Sequence, residues 1–229
     1  MPLYVLGDPH LSFGVDKPMD IFKGWGSYVE KIEKNWTELI SEDDTVILAG
    51  DISWAMTLEE TLLDFRFIDR LPGKKIIMKG NHDYWWVTKT KIEKFFAANE
   101  ISSVSILFNN AYLIDNIAVC GTRGWFYDAH GQQDSKVINR EAGRLKMSIE
   151  AAQKLGGEPV AFLHYPPVFA GRECPEMMNV LLEYGIKKCY YGHLHGKNTH
   201  SLATIGNYRG IEFKLISCDY TQFKPIHVV

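Results

Sequence analysis

Five short stretches of this chain place metal- and proton-handling side chains where such groups are costly. Gly80-Asn81-His82-Asp83 sets an amide, an imidazole and a carboxylate just after the run Lys75-Ile76-Ile77-Met78. Four other apolar runs end in the same manner, at Asp8-Pro9-His10, Gly50-Asp51, His164 and His193-Leu194-His195. A strongly polar cluster at the end of a buried strand costs free energy unless it handles a metal or a proton. Five of the eight histidines fall within these fragments, so imidazole is concentrated where the strands end.

Such a set suits a pair of metal ions. Two ions held about 3.5 to 4 Å apart clamp the attacking and leaving oxygens of a phosphoryl displacement. The clamp needs a bridging carboxylate, further oxygen and imidazole ligands, and an open position for water or substrate. On extended backbone, side chains two residues apart point the same way, which pairs Asp8 with His10 and His193 with His195. Gly7, Gly50, Gly80 and Gly192 adjoin the fragments and permit tight turns away from the ligands. Any one fragment arises often by chance; five that each close a separate apolar run do not.

The elements that must position these residues follow from hydrophobic periodicity. Leu3 to Leu6 is a short buried strand, followed by a long loop over residues 11 to 26 that carries Phe13, Phe22 and Trp25. Loops of that length in compact domains are often functional. A capping-box pattern at Ser27 to Glu30 opens an amphipathic helix over 28 to 40. Val46 to Ala49 is the next strand, and Thr57 to Glu60 caps a second helix that Pro72-Gly73 ends. Lys75 to Met78 is the third strand, and a third helix covers about 88 to 98. This strand–helix alternation predicts a parallel sheet with ligands outside the carboxyl ends of its strands.

Farther on, Val104 to Phe108, Ala111 to Ile114 and Ile117 to Cys120 read as antiparallel hairpins around Asn109-Asn110 and Asp115-Asn116. A long helix over 135 to 155, a strand over 160 to 163, a short helix from Pro175 and a strand at 189 to 191 come next. Leu202 to Ile205 and Ile211 to Ile216 read as a last hairpin. No internal break divides the chain, so residues 1–229 read as a single domain.

With 229 residues and 46% hydrophobic content, a sizeable core is available. A net charge of −3 disfavours bulk nucleic-acid binding, which draws on a basic face. The N-terminus enters a strand at once, and no apolar run reaches the roughly 18 to 20 residues of a membrane span. Cys120, Cys174, Cys189 and Cys218 show no C-x-x-C spacing and read as reduced thiols of a cytoplasmic protein.

The order Asp8-x-His10, Gly50-Asp51, Gly80-Asn81-His82-Asp83, His164, Gly192-His193-x-His195 resembles the signature of the calcineurin-like metallophosphoesterases. The motifs run from residue 8 to residue 195. The resemblance implies an α/β fold of four layers, with two packed mixed sheets between helices and a dinuclear metal site at strand carboxyl ends. It implies that Asp8, His10, Asp51 and His195 hold one metal. Asp51, Asn81, His164 and His193 would hold the other, with Asp51 bridging. It further implies that His82 meets the leaving group and that Asp83 orients His82. The expected cofactors are two divalent transition-metal ions, since mixed imidazole, carboxylate and amide ligation suits Mn, Fe, Zn, Co or Ni. The expected substrate is a phosphorylated small molecule, with a nucleotide-like one as the case in which a flat group stacks on nearby aromatic residues.

Around the motifs, Arg123 and Arg172 could fork onto a phosphate oxygen or serve as surface ion pairs. Tyr84 and Trp125, with Trp25, Trp54, Trp85 and Trp86, could stack on a substrate or simply anchor loops. His130, His200 and His227 match no motif and read as surface or structural residues. The rivals to a phosphoesterase are a nuclease or nucleotide pyrophosphatase using the same chemistry, and a non-catalytic scaffold that has kept the fold. Lost ligands or a replaced His82 would mark the scaffold, and neither occurs.

Overall fold

The computed structural model describes residues 1–125 and 135–228. His130, which matches no motif, lies outside them. The first sheet has five strands. β1 (Leu3–Leu6), β2 (Thr45–Ala49), β3 (Lys74–Met78) and β4 (Val104–Ile106) run parallel in that order, and β13 (Ile226–His227) joins β1 antiparallel at the edge.

The second sheet has six. Its parallel centre is β12 (Ile211–Leu215), β10 (Lys188–Tyr191), β7 (Glu158–Leu163) and β6 (Ile117–Thr122). β11 (Gly206–Tyr208) and β5 (Tyr112–Ile114) close its edges as antiparallel hairpin partners. A two-stranded ribbon of β8 (Val168–Phe169) and β9 (Arg172–Glu173) stands apart.

Alternation along the strands produces the layers, because successive side chains on a strand face opposite ways. In β2, Ile47 and Ala49 join a core between the sheets, whereas Val46 and Leu48 face helices. In β7, Val160 and Phe162 face the first sheet, and Ala161 and Leu163 face the helices of the other side. Helices α1 (Tyr28–Leu39), α2 (Leu62–Arg70) and α3 (Lys89–Ala98) cover the first sheet; Ile32, Trp36, Phe65, Ile68, Ile92 and Phe96 fill that layer. Helices α4 (Ser135–Leu155) and α5 (Pro175–Glu183) cover the second through Leu145, Ile149, Met178 and Leu181. The short α6 (Lys197–His200) follows the end of β10. The result is a four-layer mixed α/β fold.

Four local expectations are corrected. β4 is no hairpin partner of β5: it extends the first sheet in parallel with β3, and the chain crosses to the second sheet between them. The last hairpin pairs Gly206–Tyr208, a few residues later than expected, with β12. Ser27 does not cap α1, because its φ of 52° lies in the left-handed region and its side chain makes no capping bond. The Thr57–Glu60 box does form, with Glu60 accepting from the Met56 and Thr57 amides, but it opens a short 3₁₀ turn that leads into α2.

The carboxyl ends of β1, β2, β3, β6, β7, β10 and β12 lie along one side of the two sheets. A parallel bridge between Gly7 and Ser217 ties the sheets together there. Every motif residue follows one of these ends.

Candidate metal centre

The loops that carry the motif residues are laced to one another. The Asp8 amide donates to the Gly50 carbonyl, and the His10 amide to the Asp51 carbonyl. Asp8, His10, Asp51 and His193 all take left-handed backbone, with φ of 58°, 47°, 48° and 73°. Non-glycine residues pay about 1 to 2 kcal/mol for that conformation, and such strain gathers at functional sites. Extended geometry therefore does not explain the two-residue spacings, which is a correction. Asp8 and His10 meet through a left-handed turn, whereas His193 and His195 go to different groups.

The neighbouring glycines make room for ligands more than they turn the chain. A Cβ at Gly80 would collide with the Asp51 carboxylate, and one at Gly192 would stand 2.6 Å from Asp8 Oδ2. Gly50 needs both freedoms: its φ is +88°, and its Cβ would lie 2.8 Å from His164 Nδ1.

Two groups of donor atoms result. Asp8, His10 and His195 bring one ligand atom each within 4.8 Å of one another, and Asp51, His164 and His193 do the same. The two oxygens of Asp51 reach both groups, Oδ2 lying 3.7 Å from His10 Nε2 and Oδ1 3.5 Å from His164 Nε2. Asn81 adds its Oδ1 at 2.6 Å from His164 Nε2. Asp8 is held by the His193 amide, and its Oδ1 lies 3.3 Å from His164 Nδ1.

These contacts fit cations. With Nδ1–H given to the Ala49 carbonyl at 3.2 Å, His164 turns an Nε2 lone pair toward the Asn81 oxygen. With Nδ1–H given to Asp219 at 2.9 Å, His195 turns its Nε2 lone pair toward His10 Nε2, 3.2 Å away. Facing lone pairs repel unless a proton or a cation lies between them. Two nitrogens bound to one ion at about 2.1 Å would stand roughly this far apart.

The electrostatics point the same way. Burial pushes the Asp8 carboxyl up to about 7, against the pull of His195 and with a further push from Asp51. Burial likewise raises Asp51, with His82 opposing. It drives His164 down to about 3, despite the Ala49 carbonyl, and holds His10 well below the usual histidine range. Burial also opposes charging His195, yet its hydrogen bond with Asp219 and the charge of Asp8 raise it overall. Without cations, burial favours the protonated forms of Asp8 and Asp51 and the neutral forms of His10 and His164, while His195 favours its charged form; bound cations would reverse the carboxylate preference.

The placement of Asp83 corrects the reading of its role. Its buried carboxylate accepts from the amides of Ile52, Ser53 and Gly80 and from Trp85 Nε1, at 2.7 to 3.3 Å. Every hydrogen bond it accepts comes from the loops after β2 and β3, so it clamps those loops and does not hydrogen-bond the His82 ring. Burial, then the charge of Asp51, raises it to about 7. His82 instead rests on Trp54, with ring centroids 4.4 Å apart, and its buried Nδ1 has no hydrogen-bond partner among the described residues. Its backbone amide donates to Asp51 Oδ1 at 2.7 Å. Burial lowers its pKa, with Asp51 opposing.

The candidate substrate residues scatter. Arg123 makes an ion pair with the fully buried Glu141 at 3.5 Å and lies over the Trp125 ring. Trp125 in turn packs on Tyr165, which meets His193 at a centroid distance of 4.3 Å. Tyr84 is exposed and presents its ring edge-on to His82, 6.0 Å away. Arg172 is exposed on β9 and touches none of the seven ligand candidates.

Asp219 is a support that the motifs did not mark, and Trp54 and Trp25 take the anchoring role. Asp219 accepts from His195, from the Gly196 amide and, at 3.4 Å, faces His200. Its signal was present, since Ser217-Cys218-Asp219 closes the apolar run of β12 as the other motifs close theirs. Trp54 stacks on His10 with centroids 4.8 Å apart and planes within 19°, and Trp25 meets His10 and His195 edge-on. His10 Nδ1 has no hydrogen-bond partner among the described residues, so this aromatic packing holds its ring.

Solved structures share the architecture. A Thermus thermophilus protein superposes with a TM-score of 0.60 at 12% identity, covering 99% of this chain and 97% of the other. A phosphopantetheinyl hydrolase from Mycobacterium tuberculosis gives 0.53 at 15% identity, with 100% and 95% coverage. A protein of unknown function from Aquifex aeolicus gives 0.52 at 16% identity, with 99% and 95% coverage. At such identities the likeness is one of fold. No curated protein matches the sequence. The family model described as calcineurin-like phosphoesterase matches residues 1–197, and the chain accordingly belongs to that family.

Proposed function

We propose that the protein is a metal-dependent phosphohydrolase that cleaves a phosphoester at a two-metal site. The observation that carries this reading is the position of Asp51, whose two oxygens reach toward His10 on one side and His164 on the other. Asp8, His10, Asp51 and His195 would hold one ion, and Asp51, Asn81, His164 and His193 the second. Mn, Fe, Zn, Co or Ni suits these donors. Two such ions supply charge against the phosphate and acidify a water for attack on phosphorus.

The chain's own residues complete the chemistry. His82 borders a cavity together with His10 and His195. With its pKa lowered by burial, the ring is neutral near pH 7 and has one N–H to give to the departing ester oxygen. Asp83 acts as a positioning residue, fixing the loop that carries Asn81 and His82. Asp219 fixes the tautomer of His195. Trp25 and Trp54 shield one wall from water.

The substrate is a phosphorylated small molecule and not bulk nucleic acid, in keeping with the net charge of −3. No described helix is long and apolar enough to cross a membrane. The four cysteines are free and buried, which suits the reducing cytoplasm. Residues 1–229 act as one metallophosphoesterase domain. The test is hydrolysis of aryl phosphate mono- and diesters by manganese-loaded protein. Activity that disappears with a chelator and in Asp51→Asn is expected; metal-replete protein inert across such a panel would refute the reading.

A further inference from the structure

Two cavities meet at the site, and their linings differ. The first, about 410 Å³, shares His10, His82 and His195 with the metal centre; Met19, Phe22, Trp25 and Trp54 form its apolar wall, and Lys23, Gly196 and Asp219 its polar side. Its size falls within the range of small-molecule sites. Phe22 is 54% exposed and, among the described residues, makes no ring contact, so a face is free at the cavity mouth. The second, about 860 Å³, runs past His195 along Lys197, Asn198, Thr199, His200 and Gln222, with Tyr220 as its one tyrosine. The cavities are continuous through Lys23, His195, Gly196 and Asp219.

A monoester has one organic arm, and it would leave one of these cavities empty. An apolar slot rewards a flat hydrophobic group, and a groove of amide, hydroxyl and ammonium side chains rewards hydrogen-bonding ones. We propose that the substrate is a phosphodiester with two unlike arms, an aromatic group in the slot and a polar, hydroxyl-bearing group in the groove. This rests on the phosphohydrolase reading and specifies it. Because His82 lines the slot, the aromatic arm is the one that leaves. The water oxygen bonds phosphorus, the aryl P–O bond breaks, and the water's proton ends on the departing aryl oxygen. The polar arm keeps the phosphate as a monoester. The long loop between β1 and α1 supplies Met19, Phe22 and Trp25, so it sets specificity for the aromatic arm.

The experiment compares three nitrophenyl esters on manganese-loaded protein: nitrophenyl phosphate, methyl nitrophenyl phosphate and the nitrophenyl ester of thymidine monophosphate. The expected kcat/KM is highest for the thymidine diester, exceeding nitrophenyl phosphate by at least about tenfold, with thymidine monophosphate as product. Phe22→Ala should raise KM for all three esters by about fivefold, the worth of one aromatic contact. Asn198→Ala should raise KM about threefold for the thymidine diester alone, the worth of one hydrogen bond. Metal content measured in parallel should match wild type in both variants. Preference for nitrophenyl phosphate, or diester KM values unmoved by both substitutions, would overturn the two-arm assignment while leaving the phosphohydrolase standing. Metal-loaded protein inert toward all three esters would overturn both.

Discussion

Asp51 couples the two donor groups, and its removal should therefore do more than weaken one of them. Asp51→Asn keeps the shape but loses the charge, and activity should fall by about a thousandfold or more, with metal content reduced when measured on the same sample. His82→Ala should behave differently: metal content stays at wild type and turnover falls by about a hundred to ten thousandfold, least with good leaving groups. Asp83→Ala strands several buried donors, so its main effect should be on stability, with a loss of about 3 kcal/mol or more in denaturant unfolding. At this scale the sequence displayed the ligand candidates because each closes an apolar run. It could not display where the Asp83 carboxylate points, since the loops it clamps are separated by some thirty residues, as its 31-residue link to Ile52 illustrates. Asp219 followed the same strand-end rule and was passed over only for want of a neighbouring histidine or glycine.

At the scale of elements, the parallel strand–helix units were legible from period and capping, because each is decided by local spacing. β4 and β13 were not. β4 sits two residues from a pair of asparagines that reads as a turn, yet the tertiary pairing with β3 prevails. β13 is two residues long and exists through its pairing with β1. Strand ends also set the tolerance of the glycines. Gly80→Ala should abolish metal binding, because the new methyl group overlaps the Asp51 carboxylate. Gly143→Ala, in the exposed interior of α4 with open space around its Cα, should raise stability by about 0.5 to 1 kcal/mol. Thermal melts of the two variants, alongside metal analysis, separate the cases.

For the whole molecule, the fold closes two sheets over a shared apolar core and concentrates buried charge at one edge. That arrangement has a pH signature. Asp8 and Asp83 titrate near 7 in the metal-free fold, well above a free carboxyl, and Asp64, raised by burial, near 6. Folded-state pKa values above the unfolded ones contribute stability that is present below about pH 4 and lost as pH rises through 6 to 7. His10, His82 and His164, held low by burial, act in the opposite sense below about pH 6.5, so the carboxylate contribution is read as a difference: between pH 5.5 and pH 8 chelated wild type should lose about 1 kcal/mol or more of urea stability relative to Asp83→Asn. Added manganese should stabilise the protein more at pH 8 than at pH 5.5, because the ion replaces the protons and binds more tightly as they leave. The site edge was expected from strand–helix alternation and the four layers from the family resemblance; the continuity of two unlike cavities was not, since it depends on how the loop after β1 folds back over the centre.

The claim on which the rest depends is that one carboxylate joins two ions. Electron paramagnetic resonance of protein titrated with manganese(II) tests it directly. The account predicts an exchange-coupled multiline spectrum that saturates at two ions per chain and is lost in Asp51→Asn. A spectrum of isolated manganese(II) alone, at full loading of active wild-type protein, would contradict it.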